Sequence, residues 1–185
     1  MKKAFVHFAQ GFEEIEALTI VDVLRRAEIP TEMVSVTGQR QVTGAHGIKI
    51  TADIVFEDVN YEESAMVILP GGMPGSKNLL DHAGLAEVIK KKAAASEPLA
   101  AICAAPMVFG ELGVLQGKEA VCYPGFESHL KGATVKDDLS LRSGNVITGR
   151  GPGAALNFAL EIVEVLKGKD AANALAHGMI VKTWN

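Results

Sequence analysis

Residues 65–72 have the sequence AMVILPGG, an uninterrupted apolar run that ends in a proline and two glycines. A strand that is apolar on both faces is typical of a parallel sheet covered by helices on both sides. Residues 4–9 and 99–102 form two further short apolar runs of this kind. The chain is therefore predicted to have a mostly parallel sheet at its centre.

Helical patterns alternate with these runs along the chain. Such alternation indicates an α/β sandwich in which helices cover both faces of a doubly wound sheet. The predicted helices span 15–27, 85–95, 106–112 and 152–166, and the last ends at Lys167 and Gly168, as a helix stop does. Further strands are predicted at 32–37, 119–122 and 146–148, with a hairpin at 42–51.

The composition is that of an ordinary soluble domain. The 185 residues are 48% hydrophobic and 22% charged, with a net charge of -4, so a single domain over 1–185 is expected. The absence of a basic cluster argues against nucleic-acid binding. No run approaches the roughly 20 apolar residues of a membrane helix, and the short run at 4–9 does not resemble a signal peptide. A cytoplasmic location is expected.

Cys103 lies between a predicted strand and a predicted helix, among small residues in the sequence AAICAAP at 100–106. Small neighbours permit a sharp turn that presents a side chain at the edge of the sheet, as in the serine elbow of hydrolases. A helix that begins behind the sulfur is expected to lower the pKa of the thiol. The alternative is a buried core thiol, which is the preferred interpretation of Cys122.

Two other segments that directly follow predicted strands contain candidate site residues. Glu16 lies among apolar residues early in the first predicted helix, where a buried carboxyl has to pair or take up a proton; a solvated position is the alternative. Gly71 and Gly72 allow backbone amides to approach a ligand, and with the amide of Ala104 they are candidates for an oxyanion site. A simple tight turn is the alternative.

The remaining candidates have weaker sequence support. His129 is the histidine considered able to reach Cys103, and Arg150 follows a strand and is a candidate to attract anionic groups. Glu13 and Glu14 are interpreted as partners of the helix dipole, and His7 as a residue of the core. The two cysteines form no CxxC pair and the histidines have no metal-ligand spacing, so no metal is expected. No GxGxxG motif follows the first predicted strand, so no dinucleotide cofactor is expected either.

Four segments together resemble the ThiJ/PfpI superfamily, and within it the branch of the parkinsonism-associated protein deglycase and YajL. They are QGFEEIE at 10–16, VILPGG at 67–72, AAICAAP at 100–106, and GRGPG at 149–153 leading into FALEIV at 158–163. Each segment is a weak signal alone, but four in this order and spacing are specific. The resemblance covers nearly the whole chain and implies a flavodoxin-like three-layer sandwich that usually forms a homodimer.

The resemblance also implies a site and an activity. It makes Cys103 a nucleophilic, easily oxidised residue, Glu16 its acidic partner, and the amides of Gly72 and Ala104 an oxyanion site. Proteins of this kind are credited with glyoxalase activity on methylglyoxal and with repair of glycated proteins, without a cofactor. The alternative is an oxidative-stress sensor or redox-controlled chaperone. An intracellular cysteine peptidase and a thiamine-biosynthesis (thiazole monophosphate) protein are less favoured.

The sequence departs from the family pattern beside the cysteine. Ala104 stands where the protease-like and chaperone branches have a histidine, which weakens the peptidase interpretation. Tyr123 stands where the deglycase branch has a histidine. A cysteine–histidine dyad is therefore not predicted from these two positions, although Tyr123 remains a candidate to supply a hydroxyl group.

Overall fold

The computed structural model describes residues 2–182 and 184. Its strands are β1 (Lys3–Phe8), β2 (Thr31–Ser35), β3 (Gln41–Thr43), β4 (Lys49–Thr51), β5 (Ile54–Val55), β6 (Ser64–Leu69), β7 (Leu99–Ile102), β8 (Glu119–Ala120), β9 (Thr134–Val135), β10 (Ser140–Ser143) and β11 (Val146–Gly149). Its α-helices are α1 (Glu14–Arg26), α2 (Gly75–Asp81), α3 (Ala83–Ala94), α4 (Pro106–Glu111), α5 (Ala155–Lys167) and α6 (Lys169–Gly178). None of these helices is long and apolar enough to span a membrane.

Seven strands form one sheet in the order β10-β11-β7-β6-β1-β2-β5. All neighbouring pairs are parallel except β10 with β11. The mostly parallel sheet predicted from the apolar runs is therefore confirmed. The hairpin predicted over 42–51 is also present, because β3 and β4 pair antiparallel outside the main sheet, with Val42 opposite Ile50.

Helices cover both faces of the sheet, which confirms the three-layer α/β sandwich. Successive residues of a strand point to opposite faces, so in β6 Ile68 packs with α1, α5 and α6, whereas Val67 packs with α2, α3 and α4. The first layer buries Leu24 and Phe158, and the second buries Phe109. Apolar burial on both faces is the main stabilising contribution to such a fold.

Other elements differ from the sequence predictions. The strand predicted over 119–122 is only the two-residue β8, which pairs with β9 outside the main sheet. The predicted helix over 152–166 begins with a short 3-10 turn, Pro152–Ala154, before α5. Helices α2 and α6 and the edge strand β10 were not predicted, since short segments with few buried apolar residues leave little periodic signal.

The carboxyl ends of β1, β6 and β7 meet at one edge of the sheet. The register pairs Val6 with Ile68, and Ile68 with Ala100, so the three strands end at nearly the same level. Ligands of open α/β sheets bind outside this edge. The segments at 10–16, 70–75 and 103–106 are consequently brought together there.

Candidate active site

Cys103 follows β7 directly and occupies a sharp turn with φ of 65°. This left-handed conformation is unfavourable for a residue with a side chain. Two backbone hydrogen bonds hold it, one from the Cys103 amide to the carbonyl of Gly149 (2.9 Å) and one from the Tyr123 amide to the Cys103 carbonyl (2.8 Å). The turn leaves Cys103 7% exposed at the sheet edge.

Glu16 reaches the same point from α1 and is completely buried. Glu13 precedes the helix and caps it, because its carboxylate accepts a hydrogen bond from the Glu16 amide at 2.7 Å. One oxygen of Glu16, Oε2, accepts a hydrogen bond from the amide of Gly71 at 2.8 Å. The other, Oε1, is buried without a hydrogen-bond partner among the described residues. The solvated alternative for Glu16 is therefore wrong.

Burial changes the acidity of both groups. It raises the pKa of Glu16 to about 7, although interactions with the Cys103 thiol and the Gly71 amide act in the opposite direction. Burial also raises the pKa of the Cys103 thiol, and the charge and hydrogen bond of Glu16 raise it further. The amides of Gly72 and Ala104 act in the opposite direction and lower this pKa by a smaller amount. The expectation that the following helix lowers this pKa is wrong in direction, because burial outweighs the effect of the six-residue α4.

The two acids act as one coupled pair. Two negative charges in contact inside a protein repel each other strongly, so the pair readily loses only one proton. A thiolate at Cys103 therefore requires that the proton remain on Glu16. The amides of Gly72 and Ala104 hydrogen-bond the sulfur and stabilise negative charge there, but burial and Glu16 outweigh them, so in the resting pair Glu16 ionises and the thiol of Cys103 keeps its proton.

Gly71 and Gly72 are required by close approach. A Cβ atom on Gly71 would lie 2.6 Å from the Cβ of Cys103 and 2.7 Å from Oε2 of Glu16. Gly72 has φ of 93°, and a Cβ there would lie 2.4 Å from the amide nitrogen of Glu13. The glycines therefore do more than form a turn, since they allow the backbone to contact the thiol and the carboxyl together.

An open pocket of about 540 Å³ leads from solvent to Cys103. Its wall combines polar and apolar side chains from α1, the hairpin and the loops after β8 and β11. The lining residues are Glu13, Glu14, Ile15, His46, Ile48, Cys103, Tyr123 and Pro152. A small molecule can therefore approach the thiol without rearrangement of the core.

Glu14 holds the hairpin against this pocket. Its Oε1 accepts hydrogen bonds from the amides of His46 (2.7 Å) and Ile48 (3.3 Å), and its Oε2 lies 2.8 Å from Nδ1 of His46. Burial raises the pKa of Glu14, but the bonds to the side chain and backbone of His46 outweigh it and lower the pKa. The same contact raises the pKa of His46.

A model of the DJ-1/PfpI family matches residues 2–165 of the chain. The chain belongs to the DJ-1/PfpI family. Protein dj-1beta of Drosophila melanogaster is 35% identical over 182 residues, which cover 97% of each chain. DJ-1 homolog B of Arabidopsis thaliana is 36% identical over 183 residues; these cover 98% of this chain but only 42% of that longer protein.

A third relative carries an activity in its name. The glutathione-independent glyoxalase DJR-1.2 of Caenorhabditis elegans is 32% identical over 164 residues, which cover 88% of this chain and 87% of that protein. Among solved structures, the oxidized DJ-1 of Toxoplasma gondii superimposes with a TM-score of 0.94 at 34% identity, covering 98% of this chain and 100% of that one. The sequence resemblance and the flavodoxin-like fold are thereby confirmed.

Not every candidate residue of this DJ-1/PfpI protein reaches the pocket of Cys103. Tyr123 lines it and is 46% exposed. Arg150 pairs with Asp137 and lines a neighbouring pocket of about 290 Å³ that shares the Tyr123 wall. His129 is instead paired with Glu111 at 3.0 Å, so the structure does not bring it to Cys103.

Two further predictions concern buried groups. Cys122 is 4% exposed in the core, and burial raises the pKa of its thiol to about 11, as a structural thiol requires. His7 is completely buried, with Nδ1 3.3 Å from the carbonyl of Ile68 and Nε2 2.7 Å from the hydroxyl of Tyr61. Burial lowers the pKa of His7 to about 4. Both residues belong to the core, as predicted.

His46 and the clamping role of Glu14 were missed from the sequence. The two residues lie 32 positions apart, and only the return of the hairpin over α1 brings them together. Glu13, Glu14 and His46 also form the one group of potential metal ligands found among residues 2–182 and 184, with ligand atoms within 4.8 Å. Because Glu14 and His46 already bond each other, the group is satisfied without an ion.

Proposed function

We propose that this protein detoxifies reactive carbonyl compounds, converting a 2-oxoaldehyde, free or as an early adduct on a glycated protein, to a 2-hydroxy acid. The observation that carries the proposal is the buried pair of Cys103 and Glu16, which shares one proton at the inner end of an open pocket. The glyoxalase named among the relatives supports the same class of reaction. No cofactor is required by the steps below.

The reaction begins with the thiol of Cys103 and the ionised carboxyl of Glu16, the form of the pair that their pKa shifts favour above about pH 7. Glu16 takes the thiol proton as the sulfur attacks the aldehyde carbon, and then gives that proton to the oxygen that becomes negatively charged, so a hemithioacetal forms. The amides of Gly72 and Ala104 stabilise the negative charge that develops on the sulfur as the attack begins. They then stabilise the negative charge on the neighbouring aldehyde oxygen.

Glu16 is then ionised and next to the former aldehyde carbon. It removes the proton from that carbon and returns it to the neighbouring carbon, while the hydroxyl proton of the hemithioacetal passes to the former ketone oxygen. The hemithioacetal is thereby converted to a thioester of a 2-hydroxy acid. Water cleaves the thioester and restores the thiol. One molecule of 2-oxoaldehyde and one of water thus give one 2-hydroxy acid.

The test is turnover of methylglyoxal by purified variants. Cys103→Ser is expected to abolish turnover because its hydroxyl is a poor nucleophile, and Glu16→Gln is expected to abolish it because the amide cannot transfer the proton. Cys122→Ser is the matched control, since it changes the other buried cysteine outside the pocket. Full turnover by Cys103→Ser would contradict the mechanism.

A second candidate function is sensing of oxidants by Cys103. The observation that favours it is the contact of the sulfur with two amides and with the carboxyl of Glu16, which are suitable hydrogen-bond partners for a sulfinic acid. Mild peroxide is then expected to add oxygen to Cys103 before Cys122 or the methionines, as measured by peptide mass spectrometry. Oxidation spread evenly over these sulfur atoms would argue against a sensor.

We also infer that the chain works as a homodimer. Ile15 and Leu18 are 59% and 37% exposed one turn apart on α1, which offers an apolar face to a second copy. Sedimentation velocity is expected to give twice the mass of 19.5 kDa, and a monomer at micromolar concentration would contradict this. A single domain over 1–185 and a cytoplasmic location stay predictions.

A further inference from the structure

His46 and Glu14 form an oriented pair at the mouth of the Cys103 pocket. The side chain of Glu14 is 6% exposed, whereas that of His46 is 70% exposed. Their 2.8 Å contact uses Nδ1 of the ring. Glu14 is itself fixed by the backbone amides of His46 and Ile48, so it is a rigid support for the ring.

This contact selects the reactive nitrogen of His46. An ionised carboxylate only accepts hydrogen bonds, so Nδ1 must carry a proton. In the neutral ring the lone pair therefore lies on Nε2, on the side of the ring away from Glu14. Nε2 has no hydrogen-bond partner among the described residues, and the ring lines the pocket that contains Cys103. The arrangement is that of a base oriented by a carboxylate.

We propose that His46 is a general acid–base residue of this pocket and that Glu14 is its positioning residue. This inference rests on the proposed carbonyl chemistry and assigns the hydrolytic step. Nε2 takes a proton from water while the water oxygen attacks the thioester carbon. The bond between carbon and sulfur then breaks, the proton passes from His46 to the sulfur, and the 2-hydroxy acid leaves.

The electrostatic surroundings suit this task. Glu14 and, to a smaller extent, Glu13 raise the pKa of His46. The other polar side chains in the wall of the pocket are those of Cys103 and Tyr123. A proton-transfer group is most effective when its pKa is near the working pH. His46 thus places an imidazole in the wall of the pocket that also contains Cys103.

The experiment compares methylglyoxal turnover and thiol alkylation in His46→Ala. Turnover is expected to fall by roughly 100-fold or more, the usual contribution of a general acid–base residue, and added imidazole is expected to restore part of it. The rate of Cys103 alkylation by iodoacetamide is expected to change less than about threefold, because alkylation needs no proton transfer to substrate. His129→Ala is the matched control, since His129 is also paired with a glutamate but lies outside the pocket.

Three outcomes would overturn the inference. Full turnover by His46→Ala excludes a catalytic role. Equal losses of turnover and alkylation, without imidazole rescue, mean that His46 only supports the fold. If the wild type and His129→Ala both fail to turn over methylglyoxal, the proposed function fails, and the role assigned to His46 fails with it. The first two outcomes leave the proposed function standing.

The positioning role of Glu14 has a separate readout. In Glu14→Gln the amide replaces the ionised carboxylate, so the pKa of His46, followed by NMR titration of its ring, is expected to fall towards the ordinary value of 6.5. An unchanged His46 titration in a folded Glu14→Gln variant would contradict the role of Glu14.

Discussion

Replacement of Glu16 by glutamine is expected to stabilise the fold at the expense of the proposed reaction. The carboxyl is completely buried, and its pKa is raised from 4.5 to about 7. The folded state therefore holds the proton more tightly than the unfolded state does between these pH values. Stability falls as pH rises through this window, because folding then requires burial of a negative charge.

The size of the effect follows from the two pKa values. At about 1.4 kcal/mol for each tenfold change in proton affinity, the shift corresponds to about 3 kcal/mol once the carboxyl is ionised. Glutamine has nearly the same shape, and its carbonyl can accept the bond from the Gly71 amide. The free energy of unfolding of Glu16→Gln is therefore expected to exceed that of the wild type by about 3 kcal/mol at pH 8, with little of this difference at pH 4.5.

Urea denaturation of both proteins at pH 4.5, 6 and 8, at one protein concentration, measures this difference. Comparing the two proteins at each pH cancels the titration of every other group that they share. The same comparison of glutamate with glutamine at position 16, made in proteins that also carry Cys103→Ser, removes the effect of the thiol on the titration of Glu16. Glu57→Gln, which changes an exposed carboxyl, is the control variant. A difference that does not change with pH would refute the reasoning.

Other predictions concern the close approach at the site and the buried histidine. Gly71→Ala places a Cβ 2.6 Å from that of Cys103. This change is expected to lower the free energy of unfolding by about 1–3 kcal/mol and to abolish methylglyoxal turnover. Gly153→Ala, where the added Cβ has no neighbour within 4 Å, should preserve both stability and turnover. NMR titration of His7 is expected to give a midpoint near 4. The free energy of unfolding should fall as the pH drops from 6.5 through 4, because the unfolded state then binds a proton at His7 that the folded state does not bind. Tyr61→Phe removes the hydroxyl that contacts His7 and should lower the free energy of unfolding by about 1–3 kcal/mol in urea titrations; no loss of stability would contradict that bond.

Prediction from the sequence worked where a residue's environment is encoded nearby. The apolar run ending at Gly71 and Gly72 specified a buried parallel strand, and the small residues around Cys103 allowed its sharp turn. The direction of the thiol's pKa was not accessible, because it depends on how deeply Glu16 and Cys103 are buried together. Local sequence gives the helix that follows Cys103 but not the burial that outweighs it.

The pairing of Glu14 with His46 shows the same limit at longer range. Glu14 looked like an ordinary acidic residue of a first helical turn, and nothing close to it in the sequence indicated a partner. Its contacts depend on the hairpin of β3 and β4 folding back over α1. The position of His129 after a predicted strand favoured a place near Cys103, but its ring lies beside Glu111.

The pocket has a fixed floor and a replaceable rim. Glu16, Gly71 and Cys103 are packed so closely that a larger side chain at one of them would collide with the others, whereas Ile48 at the rim is 52% exposed. Exposed positions usually tolerate substitution within about 0.5 kcal/mol of stability. Directed evolution of new substrate ranges should therefore succeed at the rim, where the shape and charge of the entrance can vary while the reactive pair keeps its geometry.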